Sequence, residues 1–567
     1  MVACENVSRK PSSFYANREY NKKSGRADYW FCLFCQLLRK QVKRRLPIGI
    51  QDFVGIRKEG FCYVDKTARI HQLISGSGQA FFLSRPRRFG KSLLCSTIGA
   101  VFEGRRELFG EMAGRPALAI DSLEWEWEKH PVIRIDLNAG VYSNGVEALH
   151  SALFRELKRE AGKQEVVIND RDCINQFACL IENSFHKTGK KVVVIIDEYD
   201  KPLLNTIDAP LIHTKIRDEL KGFYGVLKSS GAYLKFVFLT GVTKFSHVSV
   251  FSDLNHLVDL TLDPRYADIC GITQEELEGN FMPEIDAVLE SGGMSKEAYL
   301  VELRRFYNGY RFSEKLLSVY NPFGLLNHFD KDGKFLPYWY ETGTPTFLVK
   351  MIIDQKVNIV ELTDMQVGYE DFSKYDIEDM RAEPLLYQSG YLTIRDYDEE
   401  LNQFTLDYPN EEVRASFAKS LLEQYLRPSA EASRGISTRL PQALIRGEAD
   451  AAMNVLKSYL ASIPYDIIKE KENYYETALH LIFTMLGLNC RSEVRIASGR
   501  IDTLVETKKY VYCFEFKLNG TAEKALAQID TKEYLLPWEG SGKKLFKIGV
   551  AFDGEKRNIG EWKTVSR

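Results

Sequence analysis

Phe81-Phe82-Leu83-Ser84-Arg85-Pro86-Arg87-Arg88-Phe89-Gly90-Lys91-Ser92-Leu93-Leu94-Cys95 is an apolar run, a basic turn and the start of an apolar helix-like stretch. The punctuation at Pro86 and Gly90 predicts strand, loop and helix in that order. Such a loop wraps backbone N–H groups around an anion, with the positive end of the helix dipole behind it. Gly90-Lys91-Ser92 supplies the second half of a phosphate-loop pattern: a lysine for terminal phosphates and a hydroxyl for Mg²⁺. The first half departs from the pattern, because Arg85 stands where glycine is usual. A side chain there restricts both positive φ and close backbone approach. Arg85, Arg87 and Arg88 offset this if they give charge-assisted hydrogen bonds to phosphate.

A second stretch raises the weight of the first. Val192-Val193-Val194-Ile195-Ile196 is five consecutive β-branched residues, the mark of a strand buried on both faces of a parallel sheet, and it ends in Asp197-Glu198. Acidic residues at that edge predict Asp197 as a Mg²⁺ ligand through water and Glu198 as the group that orients and deprotonates an attacking water. Together the two stretches predict ATP binding at one edge of a parallel sheet. Thr240, after the strand-like Leu234–Leu239, is a candidate γ-phosphate sensor, with Lys244 nearby. A polar strand end that merely caps a turn is the plainer alternative. Val132–Leu137 reads as a further strand, followed by a helix through Leu149–Lys158. Strands alternating with helices predict a doubly wound α/β domain.

At 567 residues the chain exceeds a single core; at about 150 residues per domain, three or four are expected. The boundaries read from the sequence are a poorly ordered leader at 1–45, a phosphate-loop core at 46–272, a mainly helical region at 273–435 and a second α/β unit at 436–567. The net charge of −2 provides no global field for nucleic acid, so any such contact is local. Ten cysteines scattered through apolar stretches fit reduced thiols in a cytoplasmic protein. Cys32 and Cys35 make a lone CxxC without a second pair. No apolar run reaches the about 20 residues of a membrane helix, and the basic residues after Tyr29–Leu38 stand on the wrong side for a secretory signal.

The last unit carries a different chemistry. The strand-like runs Ser492–Ile496, Arg500–Glu506 and Tyr510–Lys517 precede a helix over Ala522–Leu535 and a final strand over Leu545–Phe552. Residues two apart on a strand share a face, so Glu515 and Lys517 point into one cleft. A hairpin through Thr507-Lys508-Lys509 brings Asp502 opposite Glu515. Paired carboxylates suit a hard cation such as Mg²⁺, and a lysine beside them steadies charge or orients water. Glu476, on the preceding helix, is a candidate third metal ligand, and Gln528 and Tyr534 are candidate braces or substrate contacts. Glu and Lys alternate on many solvated strand faces. Here Val511, Cys513, Phe514 and Phe516 flank them with apolar positions.

With these residues in hand, the chain from about Leu46 resembles the bacterial AAA-ATPase-like family fused to a PD-(D/E)xK nuclease domain. Matching stretches include Leu46–Gln51, Tyr63–Thr67, Arg85–Leu93, Ile196–Asp200, Thr240–Phe245, Tyr307–Tyr310, Tyr320–Phe323, Gly343–Pro345 and Tyr387–Leu392, then Gly499–Asp502 with Glu515–Lys517. The resemblance implies a P-loop NTPase sheet, a helical middle and a restriction-endonuclease-like α/β domain. It implies Lys91 and Ser92 on phosphate and Mg²⁺, Asp197 and Glu198 in the Walker B roles, and Asp502, Glu515 and Lys517 as nuclease residues. An arginine at the start of the loop is normal in that family. Three functions follow as expectations: a DNA nuclease regulated by ATP, a nucleotide-switched interaction protein that does not cut, or an ATPase acting on protein or RNA. A homo-oligomer is compatible with each.

Overall fold

The computed structural model describes residues 44–112, 115–244, 257–315, 317–343, 346–372, 382–426, 430–463, 472–496 and 498–566. The expected leader, apart from its last two residues, and the Cys32/Cys35 pair lie outside the described residues.

Five parallel strands form the first sheet: β1 (Ala80–Ser84), β2 (Val132–Asp136), β3 (Val192–Asp197), β4 (Leu234–Gly241) and β5 (Leu257–Asp259), in the order β2-β3-β4-β1-β5. β1 and β3 are buried along their whole length, as strands covered on both faces must be. Helices Lys91–Phe102, Val146–Gln164, Cys173–Thr188 and Pro210–Ser229 supply that cover. The order is consequential. β4 lies between β1 and β3, so its end separates the basic loop from the acidic pair by one strand. The register aligns Asp136 with Asp197 and Leu83 with Thr240, and pairs Ile196 with Leu239. Asp136, Asp197 and Thr240 therefore end three neighbouring strands at one level.

The middle region is mainly helical, with the helices Lys296–Tyr307, Pro322–Asp330, Thr346–Asp354 and Glu411–Leu426 among them. It also holds a short hairpin, β6 (Tyr310–Arg311) with β7 (Ser318–Val319), and a three-stranded antiparallel sheet. That sheet is β8 (Met365–Gly368), β9 (Thr393–Asp398) and β10 (Gln403–Asp407), in the order β8-β10-β9. Gly390-Tyr391-Leu392-Thr393-Ile394 reads in the sequence as a short strand, and the structure starts that strand at Thr393. Gly390 takes a φ of +88° in the turn before it. The alternation in Gln403-Phe404-Thr405-Leu406-Asp407 buries Phe404 and Leu406 completely.

The last sheet is β11 (Asn489–Ile496), β12 (Gly499–Glu506), β13 (Tyr510–Leu518), β14 (Lys544–Asp553) and β15 (Asn558–Ser566), in sequence order. Only β13 and β14 are parallel, joined by the crossover helix Ala522–Thr531. Helix Glu472–Met485 covers the opposite face, where Phe483 meets Phe514. One apolar core runs from β1 through helix Glu411–Leu426 to Phe514, Phe516 and Ile548. The position 435 lies within helix Ala430–Arg446, and the core is continuous across it. Among the described residues, no helix is long and apolar enough to cross a membrane.

Candidate functional site

The basic loop leaves β1 with Arg85 and enters helix Lys91–Phe102 at Gly90, whose φ of +95° explains the glycine. Arg88 is the other left-handed residue, at φ +64°. The path therefore needs no glycine at position 85. No side chain caps the first turn of the helix, so its amides keep their usual affinity for an anion.

The phosphate contact expected of Arg85 requires correction. Its side chain is almost fully buried and its guanidinium turns into the fold, over the Phe312 ring. It donates to the carbonyls of Ser84 (2.8 Å), Thr261 (2.9 Å) and Tyr266 (3.1 Å). A cation with those partners braces the root of the loop. Arg88 is exposed and lies over the Phe323 ring at 5.0 Å.

Lys91, Ser92, Asp197 and Glu198 converge. Lys91 Nζ lies 3.3 Å from Glu198 Oε1 and donates to the carbonyls of Arg85 (3.1 Å) and Pro86 (3.3 Å). Its burial opposes the charged form, but the carboxylates of Glu198, Asp197 and Asp200 outweigh that and hold its pKa above the ordinary lysine value. Asp197 is pushed up to about 7, by burial first and the neighbouring Glu198 second, against a hydrogen bond from Ser92 and the charge of Lys91. One ammonium thus faces a crowd of carboxyl groups. An all-oxygen set with excess negative charge suits a hard divalent cation, and Ser92 and Asp197 are the groups placed to hold it.

Two neighbours escaped the sequence reading. Asp200 is fully buried, and its Oδ2 accepts from the Val242 amide (3.0 Å), the Thr243 amide (2.6 Å) and the Thr243 hydroxyl (2.6 Å). It thereby ties the end of β3 to the end of β4, and burial with Glu198 nearby raises its pKa. Asp136 ends β2 level with Asp197 and adds to the negative potential there. The pattern Ile135-Asp136, an apolar strand ending in an acid, repeats Ile196-Asp197 and was the available signal. Thr240 is fully buried, and its hydroxyl has no hydrogen-bond partner among the described residues. Lys244, by contrast, pairs with Asp259 at 2.6 Å.

In the last sheet, the β12–β13 ladder pairs Thr503 with Phe514, so Asp502 stands opposite Glu515 one step further on. Asp502 Oδ2 accepts the Phe516 amide at 2.8 Å, Asp502 and Glu515 share a hydrogen bond, and Lys517 Nζ reaches Glu515 Oε1 at 2.9 Å. Glu515 has no exposed surface and its Oε2 has no partner among the described residues, whereas Lys517 is one-third exposed. Burial, then the charge of Asp502, raises the Glu515 pKa against the pull of Lys517. Period two places Val511 and Cys513 on the same face as Glu515 and Lys517. The buried half of the strand thus holds the polar half in place.

These residues line a cavity of about 570 Å³ together with Glu476, Gln528 and Tyr534. Gln528 Nε2 donates to Tyr534 Oη at 3.2 Å, so this pair braces the wall. Arg500 and Lys532 are exposed at the mouth. Asn358 and Val360, from the middle region, complete the lining, and nothing in the sequence signalled them. The three-carboxylate shell expected of Glu476, Asp502 and Glu515 requires correction: among the described residues no group of three His, Cys, Asp or Glu is gathered closely enough to hold a metal. The buried, unpartnered Glu515 Oε2 beside Asp502 is still what a hard cation would satisfy, so the donor pair fits one.

Comparison with known proteins accords with both halves. A family model described as a predicted AAA-ATPase matches residues 47–251, and one described as the PD-(D/E)XK nuclease superfamily matches residues 470–562. The chain is 36% identical over 528 residues to an "Uncharacterized protein in vnfD 5'region" of Azotobacter chroococcum mcd 1, covering 91% of this chain and 98% of that protein. Sheet, sites and similarity agree: the chain belongs to the family that joins an AAA-ATPase-like domain to a C-terminal PD-(D/E)XK nuclease superfamily domain.

Proposed function

We propose that this protein binds ATP at the loop between β1 and helix Lys91–Phe102, and that its nucleotide state regulates a metal-dependent nuclease in the C-terminal sheet that acts on DNA. In this reading Lys91 and the first-turn amides of its helix hold the phosphates. Ser92 and Asp197 hold Mg²⁺. Glu198 takes the proton of the attacking water, and Thr240 gives its buried hydroxyl to the γ-phosphate. Proton transfer by Glu198 requires that it exchange its contact with Lys91 for one with water.

At the second site, Asp502 and Glu515 hold a divalent cation, which supplies Lewis acidity toward a phosphodiester when bound. Glu476 faces the same space and serves as an outer partner. Lys517 neutralises Glu515 and presents its ammonium to the negative charge that grows as the phosphodiester is attacked. Arg500 and Lys532 attract the phosphate backbone at the mouth.

The observation that carries the reading is the convergence of Asp502, Glu515 and Lys517 on one cavity. The experiment is cleavage of labelled single- and double-stranded DNA and RNA with Mg²⁺, with and without ATP. Cutting of DNA that disappears in Lys517→Ala and that persists in Lys91→Ala but no longer responds to ATP supports it. Cutting of RNA alone overturns the substrate, and ATP turnover without cutting under any divalent metal leaves a nucleotide-switched interaction protein.

A further inference from the structure

The two sites are joined by packed elements of the middle region. Trp339, only 4% exposed, donates its indole N–H to the carbonyl of Arg87 in the phosphate loop, at 2.9 Å. Its backbone N–H goes to Glu412 Oε1 at 2.6 Å, and Tyr340 N–H goes to the same oxygen at 3.3 Å. A second contact pins the same part of the loop. A Cβ on Gly390 would stand 2.7 Å from Pro86 Cβ, a distance only a glycine tolerates. Trp339 thus senses the loop directly.

Glu412 lies in the first turn of helix Glu411–Leu426, which packs on helix Thr346–Asp354, whose Leu348, Val349, Met351 and Ile352 are buried. The chain then turns at Asn358, whose Oδ1 accepts the Val360 amide at 3.2 Å. Ile359 and Leu362 anchor this turn in the core, where it packs on helix Glu472–Met485. Asn358 and Val360 face the cavity that contains Asp502, Glu515 and Lys517. The same tryptophan has a parallel route. Glu412 opens helix Glu411–Leu426, which packs on helix Glu472–Met485 with Tyr425 stacked on Tyr474 at 5.4 Å, and the latter helix carries Glu476.

We propose that Trp339, helix Glu411–Leu426 and residues 346–360 are the transmission between the two sites, with Trp339 as input and the Asn358–Val360 turn as output. The inference rests on the functional reading above and names its regulatory element. The trigger is local. Lys91 now donates to the carbonyls of Arg85 and Pro86, and a phosphate competes for that ammonium with a stronger, charge-assisted bond. Releasing those carbonyls frees the loop to shift, and the Arg87 carbonyl carries Trp339 with it. A packed helix passes displacement along its length rather than absorbing it. The wall of the nuclease cavity moves as a result, which changes the access of a nucleic-acid strand to Lys517.

Amide hydrogen exchange over residues 356–362 of the full chain, with and without ATP and Mg²⁺, tests this, with calorimetry run beside it. In the wild type, ATP is expected to change exchange in this segment by about fivefold or more, within the usual range of allosteric coupling. Trp339→Phe keeps an aromatic ring at the position, smaller than the indole, and removes the N–H. It is expected still to bind ATP, with an affinity changed by no more than the coupling it removes, about fivefold. It is also expected to lose both the exchange response and the ATP dependence of cleavage. ATP bound by the wild type with no response at 356–362 overturns the proposal, as does a full response in Trp339→Phe. Because the wild-type measurement stands alone, an unfolded variant does not rescue the idea. Absence of ATP binding in the wild type overturns the functional reading and the transmission together, whereas absence of cleavage with an intact exchange response overturns only the nuclease.

Discussion

Glu515 and Lys517 face their cavity on a strand that is otherwise buried, and their proximity sets two expectations. Truncating Lys517 to Ala removes the counter-charge of a buried carboxyl group and the ammonium offered to the reacting phosphate. Cleavage is expected to fall by about 10²-fold or more, with ATP turnover unchanged, as steady-state kinetics would measure. The raised Glu515 pKa means that a cation must displace a proton to bind. The Mg²⁺ concentration giving half-maximal cleavage is therefore expected to be higher at pH 6 than at pH 8, and a pH-independent midpoint would contradict it. Glu412 offers a separate test on stability. Burial pushes it up to about 8, and one of its oxygens has no partner among the described residues. A carboxyl group whose folded pKa is raised stabilises the fold below its unfolded value of about 4.3 and loses that contribution as pH rises toward 8. Glu412→Gln mimics the protonated acid, so its denaturation midpoint is expected to fall less than that of the wild type between pH 5 and pH 8.5. At this scale the sequence revealed Lys91, Asp197, Asp502 and Glu515, because their charges interrupt apolar strands or end them. It misled at Arg85, because a basic loop gives no sign of which guanidinium turns inward.

Gly549 shows how an element fixes the second site. It pairs with Glu515 across the parallel β13–β14 ladder, and a Cβ there would lie 2.4 Å from the Ala522 carbonyl oxygen and 2.9 Å from the Leu526 amide. Helix Ala522–Thr531 therefore sits directly on the strand, which brings Gln528 to the cavity. Gly549→Ala must push the helix away, and overpacking of this kind costs about 1–3 kcal/mol. Urea denaturation is expected to report that loss, and cleavage is expected to fall with it while ATP binding persists. Most elements were legible because their patterns are strong: five β-branched residues for β3, and charged positions after apolar ones for β13. β5 was missed because Leu257-Val258-Asp259 is too short to show a period. β15 was missed because an edge strand with Gly560 and the charged Glu561 and Lys563 reads as loop. Only β9 of the sheet β8-β10-β9 was legible, although β10 alternates cleanly, since the strands are brief and helix Ala382–Gln388 parts β8 from the other two.

Over the whole molecule, two chemistries share a continuous apolar core, with the middle region touching both. Sequence could place the sites in order along the chain. It could not place Trp339 on the Arg87 carbonyl or Val360 in the nuclease cavity, because contacts between residues about 150–250 positions apart leave no local pattern. What the architecture requires first is that the loop after β1 and the acidic end of β3 act on a single triphosphate across the end of β4. The direct measurement is calorimetric titration of ATP with Mg²⁺ into the wild type, Lys91→Ala and Asp197→Ala. The account predicts binding by the wild type and a loss of about tenfold or more in Lys91→Ala, the scale of one charge-assisted hydrogen bond. It also predicts that Asp197→Ala loses the Mg²⁺ dependence of binding. No heat of binding in the wild type, or equal affinity in all three proteins, would contradict it.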